Sequence, residues 1–393
     1  PFCAKALLSG AMAVRRHTAA VEKQGKALLE TLKPEDKILV LITRNYGVSD
    51  PILNMGIPEL LLERGYKVIT LSHLPGHALD IADEYENLYY PFGQHILSGA
   101  KLIAHHPNLY AVYLTNHGCG PDTMLSHLFK QEMGDKPYLQ IEVDEHFSNV
   151  GVITRIEAFL NSLNHRPVEV LPKDFVLEQV DIRPCHLPAV PEKDFPLWLP
   201  PLGEYTASLT GYFRAQGVDA HALPHLSAHA LSLGRAETSA KEYLPFPALL
   251  GGILAQQEVD PAPAQFLIPQ TRGAEADGQY ARVIRAVLDR RGNQSAKLVS
   301  PMLETLPATA QDRDALFRAL LAGDILYAAP AAMRAGIAAA WDTLPGWAQL
   351  HKAAVEIGRC PATGRRLATV GTPLCVTELD SGVLAALEAE GEQ

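Results

Sequence analysis

Short apolar runs alternating with stretches of helical period constrain this chain more than any other feature. Lys37 to Thr43 reads KILVLIT, an unbroken apolar run suited to a strand covered on both faces. Lys67 to Leu71, Tyr110 to Leu114 and Pro137 to Val143 are further strand candidates. Between them, Asn54 to Arg64, Phe92 to Ala104 and Thr123 to Gly134 carry apolar residues at helical spacing, and Ala4 to Leu32 opens the chain as a helix. Asn45 to Asp50 breaks off the first strand. Parallel neighbours need crossover connections, so the alternation predicts an α/β fold built on an open, mostly parallel sheet of flavodoxin or Rossmann type.

The pattern restarts later in the chain. Tyr205 to Gln216, Val218 to Leu223, Phe266 to Ile268, Tyr280 to Arg290 and Ala296 to Val299 repeat the plan as a second α/β unit. Eight prolines crowd residues 164–201, which predicts a linker without regular helix or sheet. The expected organisation is therefore residues 1–163 as the first domain, 164–201 as linker and 202–393 as the second unit. Asp312 to Ile357 is expected to form its helical extension. A closing pair, strand Leu367 to Val370 and helix Asp380 to Glu390, has no returning strand, so the second unit reads as truncated. Pro1 in place of an initiator Met suggests a cut start.

Charge and cysteine usage narrow the function classes. Lysine and arginine total 34 against 44 acids, so 34 − 44 = −10, and no basic stretch could hold a phosphate backbone. Nucleic acid is not an expected partner. Apolar runs fall far short of the roughly 20 residues of a membrane span. Five scattered cysteines, without a CxxC pair, argue against a disulfide framework and for a reducing cytoplasm. P-loop, GxGxxG, GxSxG and HExxH motifs are absent, so no ATP site is expected in these residues.

In open parallel sheets, ligands bind beyond the carboxyl ends of the strands. Three loops stand there. After the strand at Tyr110 to Leu114, Gly118 and Gly120 flank Cys119, leaving room for a ligand or cluster to approach the sulfur. The same sequence suits a tight turn whose cysteine is simply buried. Asp144, Glu145 and His146 follow the strand Leu139 to Val143 and suit acid–base chemistry, metal ligation or a solvated loop with an Asp–Arg pair. Arg44, with Asp50 nearby, follows the first strand and suits either an anion or a bond to Asp50 or Asp144.

Beyond those readings, three segments resemble a known family: RNYGVSDPILNMGIPELL (44–61), NHGCGPDTML (116–125) and IEVDEHFSNVGVITRIEAF (141–159). Together they look like the C-terminal, dehydratase-like region of large activases related to 2-hydroxyacyl-CoA dehydratases. KEYLPFPALLGGIL (241–254), IPQTRGAEADGQYARVIRAVL (268–288), GDILYAA (323–329) and ATVGTPLCVTELDSGVLAALEAEG (368–391) extend the resemblance more loosely. In that family, ATP hydrolysis drives an electron onto a [4Fe-4S] cluster for radical dehydration of a 2-hydroxyacyl-CoA. The resemblance implies three cysteine positions, which fall at Cys119, Tyr243 and Glu275.

Only one of the three is a thiolate here. Tyrosine and glutamate offer hard oxygen, which suits an iron–sulfur cluster poorly. Cys185, Cys360 or Cys375 would have to replace them. The resemblance thus leads to a degenerate dehydratase-like domain with a structural or regulatory role, whose expected partners are an activase ATPase domain or dehydratase subunits. Two alternatives stand beside it: an electron-transfer component with an unusual or shared cluster on Cys119, and a module binding acyl-CoA or another small molecule.

Overall fold

The computed structural model describes residues 2–76, 79–88, 90–116, 120–143, 149–167, 169–172, 175–239, 241–270, 276–302, 312–324, 327, 367–369 and 376–378. The chain divides into two compact units. The first comprises Pro1–His186 with Ser239–Tyr243 and Arg272–Gln279; the second comprises Leu187–Thr238, Leu244–Thr271 and Tyr280–Gln393. Each holds a four-stranded, all-parallel sheet with flanking helices, as the alternating pattern predicts. No helix of the described residues is long and apolar enough to cross a membrane.

In the first unit the order along the chain is α1 (Phe2–Leu29), β1 (Ile38–Ile42), α2 (Asn45–Ser49), α3 (Ile57–Glu63), β2 (Lys67–Thr70), a single 3-10 turn (Leu71–His73), α4 (Pro91–His105), β3 (Leu109–Asn116), α5 (Gly120–Met133), β4 (Leu139–Val143) and α6 (Asn149–Asn164). Asn45 to Ser49 does end the first strand, but as a five-residue helix. The sheet runs β2-β1-β3-β4. Its central strand, ILVLI, is buried at all five positions, because helices cover both faces. Leu39, Leu41, Val112 and Ile141 share one apolar core with Ile57 and Leu61 of α3 and Ile156 and Leu160 of α6. At the amino ends of the strands, the Asn108 side-chain amide donates to the carbonyls of Lys33, Pro34 and Asp36. That fixes the turn feeding β1 and thereby the register Ile38↔Leu109.

The second unit runs β5 (Leu197–Leu199), α7 (Tyr205–Ala215), β6 (Ala220–Ala222), α8 (Ala228–Ala236), α9 (Pro245–Val259), β7 (Ala264–Leu267), α10 (Tyr280–Arg290) and β8 (Ala296–Val299), with residues 312–324 also helical. Its sheet order, β6-β5-β7-β8, is the order of the first sheet repeated. Leu316 and Ala319 of the 312–324 helix join the core formed by Leu197, Leu199, Tyr212, Phe213, Leu267 and Val299.

The proline-rich stretch is more ordered than its composition suggests. A central strand, β5, lies inside it. Pro196 and Pro200 bracket that strand, where a missing N–H costs no ladder bond, and the Pro196 carbonyl still accepts from the Gln265 amide at 2.8 Å. The buried Gln265 side chain adds a substitute ladder: its oxygen accepts from the Glu192 amide at 2.8 Å and its nitrogen donates to the Glu192 carbonyl at 2.7 Å. Earlier in the stretch, Lys101, buried between Glu84 and Glu132 at 2.8 Å from each, donates to the Asp181 carbonyl at 3.1 Å. Side-chain hydrogen bonds thus supply what the prolines lack.

A second difference concerns the C-terminal region. Leu367–Thr369 (β9) has a returning partner, Val376–Glu378 (β10), in antiparallel register Val376↔Thr369. Helices predicted over the rest of Asp312 to Ile357 and over Asp380 to Glu390 lie outside the described residues.

Helices α8 and α9 meet through glycine. A Cβ on Gly251 would lie 1.9 Å from the Ala230 carbonyl oxygen, which backbone cannot yield without separating the helices. Gly251→Ala should therefore lower stability by about 1–3 kcal/mol, read as a shifted urea midpoint; an unchanged midpoint would contradict this packing.

Candidate functional site

The order β2-β1-β3-β4 has its reversal between β1 and β3, where connections leave in opposite directions and a crevice opens at the carboxyl ends. The register places Ile42 beside Tyr113, and Asn116 beside Val143. The segments leaving β1, β3 and β4 therefore start from one edge of the sheet. Gly118, Cys119, Asp144, Glu145, His146 and Glu275 themselves lie outside the described residues, as do Cys360 and Cys375; Cys185 is half-buried.

Arg44 ties two of these segments together. Leaving β1, its Nη2 donates to Asp122 Oδ1 on the first turn of α5 at 2.9 Å, and its Nη1 to the Tyr46 hydroxyl at 3.3 Å. Asp122 is nearly buried, so the guanidinium offsets the cost of keeping its charge there. The helix N-terminus favours an anion at the same place. Asp50, expected as a partner of Arg44, accepts instead from the backbone amides of Ile52 and Leu53 at 2.8 and 3.1 Å, closing its own turn.

The centre of the site comes from a segment far along the sequence. Ser239–Tyr243 belongs to the first unit, and its last three side chains each reach a different part of it. Lys241 forms an ion pair with Glu142 near the end of β4. Glu242 is fully buried and meets His127 Nδ1 on α5 at 2.6 Å. Tyr243 sets its hydroxyl 3.4 Å from where a Cβ on Gly120 would sit. Gly120 and His127 are seven residues apart, two turns of α5, so one helix face carries both contacts.

The Glu242 carboxylate is well supplied with donors. The Ser239 amide reaches both its oxygens at 3.1 and 3.0 Å, the Ser239 hydroxyl one at 3.0 Å, and the Lys241 amide the same oxygen at 3.1 Å. Burial pushes its pKa up, but the bonds from His127, from backbone amides and from Ser239 outweigh it and hold the group at about 2. With Glu242 ionised, His127 Nδ1 donates.

Beside this strap, the short helix Ala276–Gln279 also belongs to the first unit and packs against α5. The residues next to the family-like positions 119 and 275, together with Tyr243, are thus gathered around α5. Sequence reasoning passed over His127, Glu242, Asp122, Lys241 and Glu142. Glu242 sat inside the quoted KEYLP segment, and the seven-residue step from Gly120 to His127 was a readable helical signal.

The donor set does not fit a cubane cluster. At Gly120 the group offered is a phenol oxygen, and the third position carries a carboxylate, so Cys119 is the one soft ligand of the three positions.

A family described as a CoA enzyme activase uncharacterised domain matches residues 2–74, from α1 through the Leu71–His73 turn. That match supports a relation to activase-related proteins. It contains the 44–61 segment with Arg44 and stops short of α5 and the strap. No curated protein and no solved structure matches the chain.

Two outcomes follow from the ion pairs. The folded pKa of Glu242, about 2, lies below the ordinary 4.5, so its contribution is complete above about pH 4.5 and fades as pH falls toward 2. Glu242→Gln should lower stability by about 2–3 kcal/mol near neutrality, and the gap to the native chain should narrow across that window in urea melts run at stepped pH. A gap independent of pH would contradict the assignment. Arg44→Ala, which leaves Asp122 without its guanidinium, should cost about 1–3 kcal/mol by the same measurement; an unchanged midpoint would mean the pair serves something other than stability.

Proposed function

We propose that this chain is a degenerate dehydratase-like segment of an activase-related protein, with a structural or regulatory role in place of electron transfer. One observation carries the reading: Tyr243 stands against Gly120 where the family resemblance implies a thiolate, on a strap fastened by Glu242, His127, Lys241 and Glu142. Segments adjoining the family-like positions 119 and 275 meet at α5 together with Tyr243, while two of the three positions carry no thiolate. A phenol cannot replace a thiolate on iron without losing most of the affinity that sulfur supplies. The region matched by the activase-related family supports placement within such a system, and its partners would be an activase ATPase domain or dehydratase subunits.

Iron and sulfide analysis after anaerobic reconstitution tests this. The unmodified chain should hold less than one full cluster, and Tyr243→Cys combined with Glu275→Cys should raise both iron and sulfide. About four irons and four sulfides per unmodified chain, lost in Cys119→Ala, would overturn the proposal and favour an electron-transfer component. Low iron together with a thermal shift on adding acyl-CoA thioesters would instead move the role to small-molecule binding.

A further inference from the structure

Residues 175–186, the last of the first unit's main stretch before Leu187, carry neither helix nor strand. Side chains hold them to that unit. Phe175, Leu177, Val180, Ile182 and Cys185 are half-buried, and the residues between them are exposed. Their backbone closes turns, the Phe175 amide donating to the Pro172 carbonyl and the Gln179 amide to the Val176 carbonyl, each at 3.2 Å; among the described residues they join neither sheet. A segment fastened this way opens at lower cost than the strands of the unit.

Three contacts fasten it. Phe175 stacks on His105 at the end of α4, with 4.9 Å between ring centroids, and meets His106 edge to face at 5.3 Å. The Asp181 carbonyl accepts from Lys101, itself held between Glu84 and Glu132. His186 Nδ1 meets Glu86 at 2.6 Å.

His106 is the sensitive group. It is 3% exposed and its Nδ1 accepts from the Asn108 amide at 3.2 Å, so this packing fits the neutral ring. The charges that bear on it are Lys136, which donates to the His106 carbonyl from the α5–β4 connection, and His105 when protonated; Arg166 and Glu169 in turn face Lys136. Burial first, then Lys136 and His105, lower its pKa from 6.5 to about 4. The closed form therefore binds fewer protons than an open one, and opening is favoured as pH falls from 6.5 toward 4. Two contacts oppose this: a charged His105 is drawn to the Phe175 ring, and a charged His186 binds Glu86 more strongly. Both histidines are exposed, so water screens their gain, whereas His106 is dry.

We propose that residues 175–186 are a pH-released connector: Phe175 shuts it over neutral His106, and protonation of His106 frees it from the Phe175 end. Departure of Phe175 is the least costly way to bring water to the imidazolium, because neither helix nor strand carries that ring. Asn108, also against His106, is tied into the turn that feeds β1. Release lets out chain just before Leu187, where the second unit begins.

The test is cleavage of the whole chain after Glu178, exposed within the connector, by a glutamate-specific protease, which follows the open population when reclosing is fast. Rates are normalised at each pH to a free peptide of residues 170–184. From pH 7.5 to 5 the normalised rate should rise about tenfold or more, since each unit between the closed and open pKa is a factor of ten in the opening equilibrium. His106→Asn, which keeps an acceptor near the Nδ1 position and takes no proton, should abolish the rise. Phe175→Ala should be cut fast already at pH 7.5, with little further change. A flat native profile, a rise that survives in His106→Asn, or Phe175→Ala cut as slowly as the native chain would each overturn the proposal. So would cleavage after Glu178 rising in step with cleavage after buried Glu242, because the opening would then be global. If His106→Asn fails to fold, seen as cleavage after Glu242 at pH 7.5, the native profile and Phe175→Ala decide.

Discussion

A carboxylate shut away from water must be supplied with donors, and Glu242 is the group around which the first unit's site is arranged. His127 on α5 and the backbone of its own segment satisfy it, and the penalty for leaving either partner alone keeps Ser239–Tyr243 against that helix. The segment's other contacts follow from this placement. Lys241 reaches the end of β4 and Tyr243 reaches Gly120 only because the residue between them is held. The strap is short, so one buried contact determines where three side chains go.

Around it, the two units carry sheets of the same strand order, each with its reversal between the first and third strands in sequence. Arg44 and Asp122 join the segments leaving β1 and β3, the two strands that flank the reversal point. The amino end of α5, which favours an anion, thus carries a carboxylate already paired with a guanidinium.

Legibility differed by the range of the physics involved. Strands such as ILVLI and helices such as Gly120–Met133 were visible because burial on both faces, or on one stripe, leaves a period in the local sequence. Asp50 was visible as a loop residue, yet its partner was misjudged, since closing its own turn competes with reaching Arg44 and the nearer amides win. The strand inside the proline-rich stretch was hidden. Composition counts prolines, whereas a strand depends only on where each missing N–H falls and on whether a side chain such as Gln265 takes its place.

Sequence alone determined the fold class, the repeated plan and the edge from which the segments after the first sheet's strands leave, because each depends on residue type and spacing along the chain. Tertiary structure decided the rest: that Arg44 pairs with Asp122, that Glu242 finds His127 across more than a hundred residues, and that Tyr243 therefore meets Gly120. Such pairings leave no local period. They arise where desolvation makes an unpartnered charge costly, and only the folded chain sets which distant groups share that dry space.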